Sequence, residues 1–284
     1  MDKPGNKINQ TFAWEHMVTR GQVVECKSFD FKILNQYPSV YEVIRIMESV
    51  PLFLENHLER FHQSLQLAGV TLSFSNTEIA ATIKMLIEAN LAEFGNIKLL
   101  FPINPGQQNF GLTAFFIPHK YPEPSMYANG VEVVTLVKSR NNPNAKISNP
   151  DLRVLADKLI ASENVFEVLL VEETGKITEC SRSNIFFTDQ EKIVTSPGSL
   201  VLKGITRDYI FRICEMHNIP LQERIIYHDE LARFSAAFIT GTSPKVLPVR
   251  RIDNNYYPAN NPLVNRIMYL YNQEIELYLA SKRR

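Results

Sequence analysis

Residues 166–207, FEVLLVEETGKITECSRSNIFFTDQEKIVTSPGSLVLKGITR, decide how the chain is read. The apolar run 168–171 meets Glu172-Glu173-Thr174-Gly175, a hairpin-type turn. The chain returns through Ile177-Thr178-Glu179 before Ile185-Phe186-Phe187 forms a third apolar strand. That register sets Glu179 beside a sheet core. A further hairpin at 188–191 leads to Gly204-Ile205-Thr206-Arg207, which opens the amphipathic helix Asp208-Tyr209-Ile210-Phe211-Arg212-Ile213. A helix led by glycine and threonine presents unpaired backbone N–H groups at the positive end of its dipole, a site suited to phosphate. A carboxylate and a phosphate cradle thus lie about 25 residues apart.

Upstream, a strand at 131–137 is followed by the polar loop 140–151, RNNPNAKISNPD, and by a helix from Leu152 to about Glu163. A lysine in such a loop is solvated by default. Lys146 stands out because it lies between a strand and a helix, where strand-end catalytic groups are held. Lys138, at the strand end, is its rival. Downstream, 227–231 starts a short helix, and 236–240 reads as a buried strand ending at Gly241-Thr242-Ser243. That turn is a second place where backbone N–H groups and a hydroxyl meet anions. A last helix, 262–279, carries Leu263, Ile267, Leu270, Ile275 and Leu277 as its apolar side.

The first half begins with a short strand at 22–26 after an Arg20-Gly21 turn. Residues 40–46 then alternate, with Val40, Glu42, Ile44 and Ile46 on one face and Tyr41, Val43 and Arg45 on the other. Taken alone, this is either an edge strand with a solvated arginine or the wall of a polar site. The helix 54–68 has Leu58, Phe61, Leu65 and Ala68 on one stripe and stops at Gly69. Arg60 adjoins that stripe and by itself reads as a solvated or ion-paired residue. A second helix at 76–91, capped by Asn76 or Thr77, precedes strands at 96–101 and 111–117. Pro118, Pro122 and Pro124 then break all periodicity. The expected organisation is an N-terminal α/β domain at 1–120, a linker at 121–130 and a C-terminal domain at 131–284.

A chain of 284 residues can bury the core of one large or two modest domains. Thirty basic residues balance thirty acidic ones, so no global field favours nucleic acid or an anionic membrane, and any anion site is local. Cys26, Cys180 and Cys214 are scattered without CxxC spacing, which argues against a zinc site or a disulfide framework. The polar start MDKPGNKINQ lacks the apolar core of a signal peptide, and no stretch reaches the roughly 20 apolar residues of a membrane helix. The expectation is a cytoplasmic globular protein.

Three motifs in order carry a family likeness: 175–186 (GKITECSRSNIF), 202–207 (LKGITR) and 240–249 (TGTSPKVLPV). Together they resemble the fold-type-IV pyridoxal-phosphate enzymes, which include branched-chain aminotransferases, D-amino-acid aminotransferases and aminodeoxychorismate lyases. The likeness runs from about Phe29 to Asp253. It implies a two-domain α/β fold with pyridoxal 5'-phosphate in the cleft between domains, and a homodimer.

The resemblance also implies roles. Lys146-Ile147-Ser148-Asn149 is similar to the K-x-x-N around the lysine that carries the cofactor and moves the substrate proton. Glu179 matches the carboxylate held against the pyridine nitrogen, where an opposite charge keeps both partners ionised. Residues 57–64 match the family's H-x-x-R-F-x-x-S helix, so Arg60 inherits the phosphate-gripping role, which suits a forked guanidinium. The backbone N–H groups of Ile205 and Thr206 and the hydroxyl of Thr242 complete the phosphate set. Tyr41, Arg45, Thr242 and Ser243 would face the amino acid. His57 remains a packing residue, and no metal is expected.

Departures bear on the substrate. Asn35-Gln36-Tyr37-Pro38-Ser39 replaces the family's glycine-bearing stretch at the pocket mouth, and Asn96-Ile97-Lys98 stands where branched-chain enzymes have Tyr-Ile-Arg. The Arg-x-His of D-amino-acid enzymes has no counterpart between Pro102 and Gly111, Asp151 replaces the branched-chain tyrosine, and Cys180 replaces the usual glycine, as in some lyases. The expected activity is amino transfer between an amino acid, branched-chain-like and apolar, and a 2-oxo acid. The alternatives are an aminodeoxychorismate lyase releasing pyruvate and a cofactor-binding protein without turnover.

Overall fold

The computed structural model describes residues 14–30, 34, 38–71, 74–103 and 111–283. The chain forms two compact units, Met1–Lys120 and Tyr121–Arg284. The polar N-terminus, the pocket-mouth residues Asn35, Gln36 and Tyr37, and most of the loop before Gly111 lie outside the described residues.

The first unit holds the strands β1 (His16–Thr19), β2 (Gln22–Glu25), β3 (Ser39–Met47), β4 (Val50–Pro51), β5 (Phe94–Pro102) and β6 (Thr113–Ile117). They pair antiparallel in the order β2-β1-β6-β5-β3-β4. The β1–β2 turn is tight because Arg20 (φ 50°) and Gly21 (φ 71°) both take the left-handed conformation that matches the strands' twist. Alternation in β3 buries Val40, Glu42, Ile44 and Ile46 completely and leaves Tyr41, Val43 and Arg45 half-buried. Helix α1 (Leu54–Leu67) covers the buried face with Leu58, Phe61 and Leu65. Helix α2 (Asn76–Ala89) is capped by Ser75, one residue before the expected Asn76. Ser75 Oγ accepts from Glu78 N–H at 3.3 Å, while Glu78 Oε2 accepts from Ser75 N–H at 2.7 Å, a reciprocal box that only Ser75 can form with Glu78.

The second unit opens with the short helix α3 (Pro124–Asn129) inside the stretch expected as linker, Pro124 sitting in its first turn where a missing N–H costs nothing. Strands β7 (Val131–Val137), β8 (Glu167–Val171), β9 (Lys176–Cys180), β10 (Asn184–Asp189), β11 (Lys192–Thr195), β12 (Leu221–Glu223), β13 (Ile226–Tyr227), β14 (Ala236–Gly241), β15 (Lys245–Ile252) and β16 (Asn255–Tyr256) make one ten-stranded sheet. Its order is β12-β11-β10-β14-β15-β7-β8-β9-β13, with β16 on β15. Helix α4 (Pro150–Glu163) links the parallel pair β7 and β8 and packs Leu152 and Ala156 on Val168 and Leu170. The opposite face of β8, Leu169 and Val171, joins a larger core with Ile185, Phe187, Ile239 and Leu247. Helix α5 (Ile205–Met216) lays Phe211 edge-on to Phe186, which stacks on Phe238 at 5.0 Å.

Helix α6 (Pro262–Lys282) is longer than the sequence pattern suggested. Ile267, Leu270 and Ile275 are buried as expected, together with Val264, Tyr271 and Leu279, while Leu263 is half-buried and Leu277 is exposed. Four-residue steps from Ile267 through Tyr271 and Ile275 reach Leu279, which leaves Leu277 on the far side. The cysteines are buried free thiols. Among the described residues no helix is long and apolar enough to cross a membrane.

Candidate active site

Glu179 lies at the end of β9 with 3% of its surface exposed. Its Oε2 accepts from Leu202 N–H at 3.2 Å and from Asn184 Nδ2 at 3.5 Å, and its Oε1 is 3.0 Å from Arg140 Nε. Asn184 opens β10 and also donates to Leu202 O at 2.8 Å, so it ties the carboxylate to the segment that enters α5. Gly204 follows, and a Cβ there would stand 2.3 Å from Asn184 Oδ1. Close approach, rather than a special φ, is why this residue is glycine; its φ is an ordinary −70°.

Among the described residues no side chain caps α5, so the N–H groups of its first turn lie at the positive end of the helix without a capping side chain. Ile205 and Thr206 in that turn are buried. Thr206 Oγ1 is 3.1 Å from Tyr271 OH, which pins the turn to α6. Asn184 is registered with Thr240 on β14, two residues before Thr242 in the β14–β15 turn. Thr240 Oγ1 is buried with no hydrogen-bond partner among the described residues. Thr242 and Ser243 are half-buried.

The loop between β7 and α4, which carries Lys146, is fastened at several points. Arg140 fixes one end, donating from Nη2 to Ser181 O at 3.2 Å in addition to its contact with Glu179. Asn144 fixes the middle, with Nδ2 donating to Gly198 O at 2.6 Å and Val201 O at 2.9 Å. Asn149 caps α4 through Leu152 N–H at 3.1 Å. The loop of Lys146 is therefore tied both to Glu179 and to the approach of α5. An open surface depression lined by Glu132, Arg250, Arg251, Tyr256, Tyr257 and Pro258 contains none of these residues.

In the first unit, Arg60 is buried in α1 and points at β3. Its Nε donates to Glu42 Oε1 at 2.7 Å and its Nη2 to Glu42 Oε2 at 2.6 Å, while His57 Nδ1 sits 2.7 Å from the same Oε2. Burial alone would push the Glu42 carboxyl up, but Arg60 and His57 outweigh it and hold the group far below the usual carboxylate range. Tyr41 and Arg45 share the opposite face of β3, where Lys98 Nζ lies 5.2 Å from the Tyr41 ring centre.

The profile of the family described as amino-transferase class IV matches residues 39–252, well over half of the chain. The chain is a class IV aminotransferase. It is 30% identical over 233 residues to a D-alanine aminotransferase of Bacillus licheniformis, covering 78% of this chain and 82% of that protein. It is 29% identical over 243 residues to a probable branched-chain-amino-acid aminotransferase of Thermotoga maritima, covering 83% and 85%. Its fold is that of the T.th. branched-chain amino acid aminotransferase solved with pyridoxamine 5'-phosphate, with a TM-score of 0.82 at 24% identity over 93% and 95% of the two chains.

In this class IV aminotransferase the sequence motifs pointed to Lys146, Glu179, Ile205, Thr206, Thr242 and Ser243, and one unit contains all of them. Arg60, Tyr41 and Arg45 belong to the other. Sequence reasoning passed over Arg140, Asn144, Asn184 and Tyr271. Asn144 and Asn184 carried a signal, since an amide in a Pro- and Asn-rich loop or at the head of an apolar strand is placed to tie backbone groups together. Arg140 and Tyr271 carried none, because each acts on an element distant in sequence.

Proposed function

We propose that the protein moves an amino group between a branched-chain-like, apolar amino acid and a 2-oxo acid. Class IV aminotransferases work with pyridoxal phosphate, and the residues here fit that group: a buried carboxylate, a lysine on a braced loop and a helix start with no side-chain cap. When bound, pyridoxal phosphate supplies an electron sink for the substrate's Cα. Glu179 would hold the proton on the pyridine nitrogen. The Lys146 amine would anchor the cofactor and then carry the proton to and from the substrate Cα. The N–H groups of Ile205 and Thr206 and the Thr242 hydroxyl would bind the phosphate, with Arg60 as its guanidinium partner by motif resemblance. Tyr41, Arg45, Thr242 and Ser243 are the proposed substrate contacts. The same resemblance supports a homodimer, and the scattered cysteines without CxxC spacing fit the reducing cytoplasm, with the domain limits read from the sequence.

What carries this reading is the tie of one loop, Arg140 to Asn144, to both Glu179 and the approach of α5. The test is a donor screen of the purified protein with both enantiomers of apolar amino acids and 2-oxoglutarate, run beside aminodeoxychorismate with pyruvate detection. Glutamate formed from L-leucine, L-isoleucine or L-valine supports it. Turnover of D-alanine instead reassigns the substrate, and pyruvate release without amino transfer makes the protein a lyase.

A further inference from the structure

We propose that Arg140 is a positioning residue, which holds the Glu179 carboxylate charged and in place for the pyridine nitrogen of the cofactor. This rests on the role proposed above for Glu179. Arg140 lies beyond the end of β7, six residues before Lys146 in the same loop. The two side chains are nearly withdrawn from water, 11% exposed for Arg140 and 4% for Glu179, with Nε and Oε1 3.0 Å apart. That contact lies off the line of a hydrogen bond, so it supplies charge at a fixed place rather than a directed donor.

The cation has little freedom to move away. Its Nη2 donates to Ser181 O at 3.2 Å, so Arg140 grips both the carboxylate and the backbone two residues on. Ser181 is locked in turn: its Oγ donates to Glu167 Oε1 at 2.5 Å and accepts from Arg153 Nη1 at 3.1 Å. Glu167 also accepts from the Ser183 hydroxyl at 3.1 Å and from the N–H groups of Val168 at 2.9 Å and Arg182 at 3.2 Å. A cation at contact distance favours the charged form of a buried carboxylate, and the charged form is the one that keeps a proton on a ring nitrogen. Asn184 and Leu202 approach Oε2 and bring no charge. The guanidinium of Arg140 brings charge to Oε1.

A brace for the 180–183 turn would use the same contacts without acting through Glu179, and a double-mutant cycle separates the two. Apoprotein is titrated with pyridoxal phosphate by absorbance and fluorescence for wild type, Arg140→Gln, Glu179→Gln and the double variant, with melting curves alongside. The cycle is repeated with Arg140→Met, so the answer does not hang on one variant folding. The expected result is a cofactor affinity about tenfold weaker for Arg140→Gln when Glu179 is present, and changed less than about twofold when residue 179 is already Gln. Arg140→Lys should recover most of the loss. An equal loss in both backgrounds, or no loss in either, overturns the proposal. Wild-type affinity in Glu179→Gln instead removes the role given to Glu179, and this inference with it.

Discussion

Arg60 holds Glu42 with two parallel donors, Nε on Oε1 and Nη2 on Oε2, inside a unit where Glu42 has no exposed surface. Arg60 is the guanidinium proposed for the cofactor phosphate, so the pair fixes the direction in which that side chain leaves its helix. Two charges taken out of water together are costly to separate, because the survivor stays buried and uncompensated.

Glu42→Gln is therefore expected to lower stability at pH 7 by about 3–5 kcal/mol. The folded carboxyl titrates well below its ordinary value of 4.5, so its contribution is complete above that pH and is lost as pH falls toward the folded value. Melting temperature measured from pH 7 down to pH 3 should drop steeply below about pH 4.5 for the wild type and more shallowly for the variant. Parallel curves for the two proteins would show that the pair does not govern the acid limb.

Gly204→Ala puts a methyl group 2.3 Å from Asn184 Oδ1, a distance that forces Asn184 off Glu179 and off Leu202 O. A destabilisation of about 1–3 kcal/mol is expected, as for other overpacked sites, together with weaker binding of pyridoxal phosphate. Chemical denaturation and a cofactor titration read the two effects separately. A variant with wild-type values in both would mean that Asn184 has a second rotamer to use.

Lys146→Ala should leave the melting temperature within a few degrees of wild type, because Lys146 is half-buried and its loop is held by Arg140, Asn144 and Asn149. Borohydride treatment with pyridoxal phosphate followed by mass spectrometry should fix the cofactor covalently to the wild type at residue 146 and not to the variant. Labelling of Lys138 in its place would hand the role to that lysine.

All three thiols should resist modification in the native protein. Burial pushes Cys26 up to about 11 and Cys214 up to about 12, and Cys180 also well above its ordinary value. At pH 8 a disulfide reagent is expected to react slowly with native protein and rapidly with all three cysteines in denaturant. Fast labelling of one thiol without denaturant would place it in a segment that opens locally.

Strand and helix order was readable because burial alternates cleanly in β3, because β8 carries the apolar run 168–171 buried on both faces, and because Gly69, Gly175 and Gly204 punctuate the chain where turns or helix starts occur. The short strands β1, β12, β13 and β16 were not, since two to four residues carry too little periodicity and owe their pairing to neighbouring strands. Glu179 and the start of α5 could be found because their motif is local. Arg140 could not, because its partner is 39 positions downstream and only folding shows that a loop arginine faces a strand carboxylate.

The parallel join of β7 to β15 sets residue 131 beside residue 249. A nascent chain can form the hairpins β8–β9 and β10–β11 soon after they emerge, yet one edge of β7 stays open until 245–252 have been made. Ribosome-arrested chains ending before residue 245 are accordingly expected to be chaperone clients, with an unpaired strand edge that attracts other chains.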